Sequence, residues 1–66
     1  MEIRDSRGLL ACKADADSGI VECRYKGLAV RQAMKPGQSL TIIRNGEVTV
    51  VIRIPGSFLV TRGKAS

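Results

Sequence analysis

Sixty-six residues hold one small domain and leave no room for a second. Eleven Lys and Arg against six Asp and Glu give a formal charge of +5, a balance that favours anionic partners such as nucleic acid. The chain has no His to serve as a base near neutrality, no apolar run near the roughly 20 residues of a membrane-spanning helix, and only Tyr25 and Phe58 as aromatic residues, too few for a base-stacking platform.

The opening stretch MEIRDSRG is charged throughout and lacks the apolar core of a secretory signal. A cytoplasmic location is expected, where cysteines stay reduced. Turn signals then recur at short, even spacing: SRG, DADSG, KG, KPGQ, NG and PG. The segments between them are short, and several are rich in Val, Ile and Thr. None keeps a 3.6-residue period over ten residues. This pattern predicts an all-β domain, a small antiparallel meander of six or seven short strands closed as a compact barrel or two-sheet sandwich.

The first predicted strands run over 2–5, 8–14, 20–26 and 28–34. Centring one hairpin between Asp17 and Ser18 and the next between Lys26 and Gly27 sorts the side chains. One face takes Leu10–Tyr25–Leu28, Cys12–Cys23–Val30 and Ala14–Val21–Gln32; the other takes Ala11–Arg24–Ala29, Lys13–Glu22–Arg31 and Asp15–Ile20–Ala33. A slip of one residue would turn a strand over and oppose Leu10 to Lys26, so the apolar sorting selects this register.

The apolar face carries two thiols. A calcium loop at DADSG fails, because Gly19 comes one residue early and Lys26 stands where the twelfth-position Glu belongs. Zinc fails because Cys12 and Cys23 supply half a tetrahedral site and there is no His. Cross-strand Cβ atoms about 4.5–5.5 Å apart would have to close to about 3.8 Å for a disulfide. With no cation on that face to lower a thiol pKa, both cysteines are expected to be free packing residues. No metal or cofactor is expected.

The charged face and its turn bring together Lys13, Arg24, Lys26 and Arg31, the candidate polyanion-binding residues, with alanines leaving flat access beside Arg24. Against this, Glu22 lies between two cations and can neutralise them. Arg4, Arg7, Arg44, Arg53 and Arg62 are the residues that would extend the surface.

The last predicted strands cover 39–44, 47–54 and 57–62, with 63–66 expected to fray. Asn45-Gly46 suits a type I′ hairpin. One face then holds Leu40–Val51–Val60, Ile42–Thr49–Arg62 and Gln38–Arg53–Phe58; the other holds Ser39–Ile52–Leu59, Thr41–Val50–Thr61 and Ile43–Val48. Both faces are half apolar. One can cover the first sheet and the other needs a second cover, so a homodimer is expected, with Leu40, Val51 and Val60 as the candidate self-association row.

The serines lie in turns or at a strand start, the six acids form no inward pair, and no Gly-rich loop precedes a helix. The expected function is therefore a non-catalytic small basic binding module that contacts nucleic acid or another polyanion. The rival is a protein-interaction or assembly subunit, a homodimer using apolar β faces without nucleic acid. Neither a membrane nor a small-molecule substrate is expected as a partner.

Overall fold

Lys26-Gly27 and Asn45-Gly46 adopt positive φ at both positions (51° and 78°, 53° and 77°), the left-handed pair that a type I′ hairpin requires. These turns set the registers. In the computed structural model, which describes residues 1–65, seven antiparallel strands form two sheets. The strands are β1 (Glu2–Arg4), β2 (Leu10–Ala14), β3 (Ile20–Tyr25), β4 (Leu28–Ala33), β5 (Ser39–Arg44), β6 (Glu47–Ile54) and β7 (Ser57–Lys64). Strands β1-β2-β3-β4 make one sheet and β5-β6-β7 the other. Among the described residues no helix is long and apolar enough to cross a membrane.

The rows expected between β3 and β4, within β5–β6 and within β6–β7 are all present, from Cys23 opposite Val30 to Val60 opposite Val51 opposite Leu40. Between β2 and β3 only Lys13–Glu22 and Ala14–Val21 pair. The cause is a bulge: Ile3 faces Cys12 but Arg4 faces Leu10, which leaves Ala11 as the extra residue of β2. The strand bends, and the rows Cys12–Cys23, Ala11–Arg24 and Leu10–Tyr25 do not pair, although Cys23 still packs against the core cluster that holds Cys12. Arg44 of β5 fills the opening, donating from Nη1 to the Leu10 carbonyl (3.1 Å) and from Nη2 to the Arg24 carbonyl (3.3 Å).

The core lies between the sheets. Ile3, Cys12, Ala14 and Val21 meet Met34, Val51 and Phe58, with Cys23, Leu40, Ile42 and Val60 packed around them. The row offered for self-association therefore points inward. Val51 is 0% exposed, and Leu40 and Val60 pack against the core. The inner side chains of β2 are small, so the bulky residues of the second sheet are needed opposite them. The C-terminal expectation also changes: β7 has a partner along its whole length, with Gly63 opposite Val48 and Lys64 opposite Glu47, and the Ala65 N–H donates to the Gly46 carbonyl. Of the expected tail only Ser66 lies outside the described residues.

Arg44 ties β5 to β2 and β3, and Arg62 Nε donates to the Arg4 carbonyl, tying β7 to β1. Three strands thus lie over three of four. β4 overhangs, with all six of its residues exposed.

Candidate interaction surfaces

Lys13, Arg24 and Arg31 do share the outer face of the four-stranded sheet, because alternate residues of β2, β3 and β4 project there. Lys26 stands at the hairpin tip, its Nζ 5.4 Å from the centroid of the Tyr25 ring. The half-buried Glu22 engages both arginines: Arg24 Nε donates to Oε1 at 3.0 Å, and Arg31 Nε lies 3.6 Å from Oε2. A groove of about 250 Å³ beside them is lined by Lys13, Asp15, Ser18, Glu22 and Arg31, so it presents two carboxylates as well as two cations.

Of the other arginines, Arg4 lies on the same outer face, since Glu2 is opposite Lys13 and Arg4 projects to the same side of β1, but each is tied to a protein group. Arg4 pairs with Glu2 (3.0 Å) and Arg7 with the buried Asp5 (2.9 Å). Arg53 is 8% exposed, donates to the Ser57 carbonyl (3.2 Å) and lies 4.9 Å from the centroid of Phe58, with its Nε unpartnered. Every arginine has a protein group to hold, and these side chains serve largely as ties within the fold. Among the described residues no ion pair reaches Lys13, Lys26, Lys35 or Lys64.

Cys12 and Cys23 are free thiols in hydrogen-bonding contact. Burial, reinforced by its neighbour Cys23, pushes the Cys12 thiol from its ordinary 9.0 to about 12. Burial also raises Cys23, opposed by the hydrogen bond from Cys12 and by the charge of Arg44. That charge belongs to β5 of the opposite sheet, whereas the expectation concerned the thiols' own face; strand pairing alone does not show it. Burial still prevails, so neither thiol is activated. Among the described residues no three His, Cys, Asp or Glu side chains gather as a metal site.

Two apolar surfaces stand out instead. The outer face of β5-β6-β7 carries Ile43, Val48, Val50, Ile52, Ile54 and Leu59, with Ser, Thr and Gly at the remaining positions and no charge. Ile43 is 64% and Leu59 52% exposed. The second surface is the flank between β4 and β5. There Leu28 and Val30 are 72% and 64% exposed, although they share the core-side face with Cys23. One end of this flank forms a cavity of about 300 Å³ lined by Tyr25, Ile42, Ile43, Arg44 and Asn45, with the Arg44 guanidinium 5.0 Å from the Tyr25 centroid.

The first surface was visible in the rows of the sequence. The second was not, because it depends on where one sheet ends above the other. Comparison of the chain with protein-family models, with curated proteins and with solved structures gave no match.

Proposed function

We propose that this protein is a non-catalytic assembly subunit of the cytoplasm that associates with a second copy of itself through the outer face of β5-β6-β7. The observation that carries this reading is an uncharged apolar sheet face on a chain whose formal charge is +5. The core supports it: among the described residues eight buried apolar side chains are few, and burial between copies is one of the few ways a chain this short gains stability. An isologous dimer needs only one self-complementary patch, and two sheet faces pack well at small angles. The strands of this face are up to eight residues long. A three-stranded face of that length measures roughly 26 Å by 14 Å, on the order of 400 Å² per copy, about half of a standard interface. The dimer is accordingly weak and concentration-dependent.

The polyanion reading is less well supported, since Glu22 occupies two of its four cations.

Light scattering across a concentration series tests the proposal. Wild type should approach dimer mass at high concentration. Val50→Lys, on the outer face, should stay folded and monomeric, whereas Val51→Lys should unfold the chain because its side chain has no route to water. A wild type that remains a 7.1 kDa monomer at the highest concentration would sink the reading.

A further inference from the structure

The two sheets are unequal, and the place where the smaller one stops has the geometry of an acceptor. Neighbouring strands lie about 4.8 Å apart and stacked sheets about 10 Å apart. A fourth strand beside β5 would therefore lie above β4, with its inward side chains over Leu28 and Val30. The edge of β5 is open to such a strand. In a two-residue hairpin the flanking pair exchanges hydrogen bonds, so Arg44 and Glu47 bond to each other and the alternation runs back through Ile42 and Leu40. The Arg53 N–H donating to the Gln38 carbonyl (2.9 Å) continues the same alternation. The N–H and C=O groups of Ser39, Thr41 and Ile43 consequently face outward, along an edge that carries no Pro, Lys or bulge to blunt it.

Charge says what belongs there. Residues Cys23–Gly46 contain Arg24, Lys26, Arg31, Lys35 and Arg44 and no Asp or Glu; Glu22 engages Arg24 and Arg31 on the outer face, which leaves Lys26 and Lys35, at the two ends of β4, outside any ion pair among the described residues. β4, β5 and both adjoining turns lie inside this stretch. We infer that the flank between β4 and β5 is a strand-acceptor site for an extended acidic segment of a partner protein, with apolar side chains at alternate positions over Leu28 and Val30 and carboxylates toward Lys26 and Lys35. Strand addition supplies affinity through main-chain bonds, and the alternate side chains supply selectivity. A second copy would bring the same acid-free stretch against itself, so like charges disfavour it here. This site uses the backbone edge of β5, whereas the dimer uses the outer side chains of the same strand, so binding of the segment is tested in the Val50→Lys background as well as in wild type.

The test is fluorescence anisotropy with the full chain and a labelled nonapeptide that carries Val at alternate positions, Thr between them and Glu at both ends. Saturable binding is expected, weakening by about tenfold or more when the Glu residues become Lys or when alternate peptide nitrogens are methylated. Amide exchange should slow on binding at Ser39, Thr41 and Ile43, and stay unchanged at Leu40 and Ile42, which are already bonded within the sheet. Thr41→Pro removes an outward N–H without touching the ladder and should cost a similar factor. Val30→Glu, at an exposed position that folding does not need, should do the same and decides the matter if the proline variant fails to fold. The inference is overturned if the peptide does not bind, if the Lys-ended or methylated peptide binds equally, or if the folded variants keep wild-type affinity. It is also overturned if a mixed-sequence oligonucleotide displaces the peptide, which would mark a nucleic-acid site. Protection of the same amides by raised concentration of Val50→Lys, which lacks the outer-face dimer, would likewise assign the edge to a second copy.

Discussion

Gly19 shows how much one residue can carry in a chain this small. Its φ is +78°, its carbonyl accepts from the Met34 N–H, and an added Cβ would lie 2.7 Å from the Met34 carbonyl oxygen. Gly19→Ala should therefore cost more than the roughly 1–2 kcal/mol of a left-handed Ala alone, and the melting temperature should fall by about 4–8 °C per kcal/mol. Gly37→Ala is the control: φ is +93° but nothing lies within 4 Å, so conformational strain acts by itself. If the two variants melt together, the contact with Met34 is not a constraint.

Asp5 acts at the same scale through pH. Its carboxylate takes the Arg7 side chain and the backbone N–H groups of Arg7 and Leu9, organising the loop between β1 and β2. The Arg7 hydrogen bond, foremost, holds its pKa below the ordinary 3.8, with the backbone bonds adding to this and burial acting against it. A depressed folded pKa means stabilisation that is present above pH 3.8 and is lost as pH falls through the folded value. Asp15, lowered mainly by the Asp17 N–H, adds to the same window. Wild type should lose stability on acidification below about pH 4, and Asp5→Asn should flatten part of that loss in thermal melts from pH 2 to pH 7. An unchanged pH profile in the variant would show that Asp5 contributes nothing.

Among the elements, the bulged β2 is the one whose neighbours were hardest to foresee. Ala11 interrupts pairing with β1, the pairing of β2 with β3 ends at Lys13, and Arg44 supplies donors that the ladder no longer provides. Hydrogen bonds from a charged donor are worth about 1.5–3 kcal/mol, and the Leu10 acceptor is partly buried. Arg44→Gln should therefore destabilise by on the order of 2 kcal/mol in urea unfolding. Arg24→Gln, which breaks only an exposed pair with Glu22, should cost less than about 1 kcal/mol. Equal costs would mean that Arg44 is another surface charge. β4 is the opposite case: its pairing with β3 was legible residue by residue, yet its apolar face has no sheet above it.

For the whole molecule, the balance between folding and association is the question. Seven strands around a thin core leave one sheet face uncharged and one flank uncovered. A dimer that forms only from folded chains raises apparent stability by mass action. The melting temperature of wild type should accordingly climb with protein concentration while that of Val50→Lys stays level. Charge has a different use here: at Lys26 and Lys35 it biases which partner approaches the open flank and says little about the fold.

Local pairing was written in the residues. Val, Ile and Thr alternating between two-residue turns admit one register each, because a one-residue slip reverses the faces of a strand, and the expected rows of β3–β4 and β5–β6–β7 are those observed. Two half-apolar faces on the second sheet were legible as well. Which of them turns inward was not, since Leu40–Val51–Val60 and Val50–Ile52 are equally apolar and only packing against Cys12, Ala14 and Val21 separates them. The bulge at Ala11 lies within one sheet, while the hydrogen bonds of Arg44 to the Leu10 and Arg24 carbonyls and the overhang of β4 depend on how one sheet is laid across the other. These contacts join residues distant in the chain and follow no period, so only the tertiary structure could decide them.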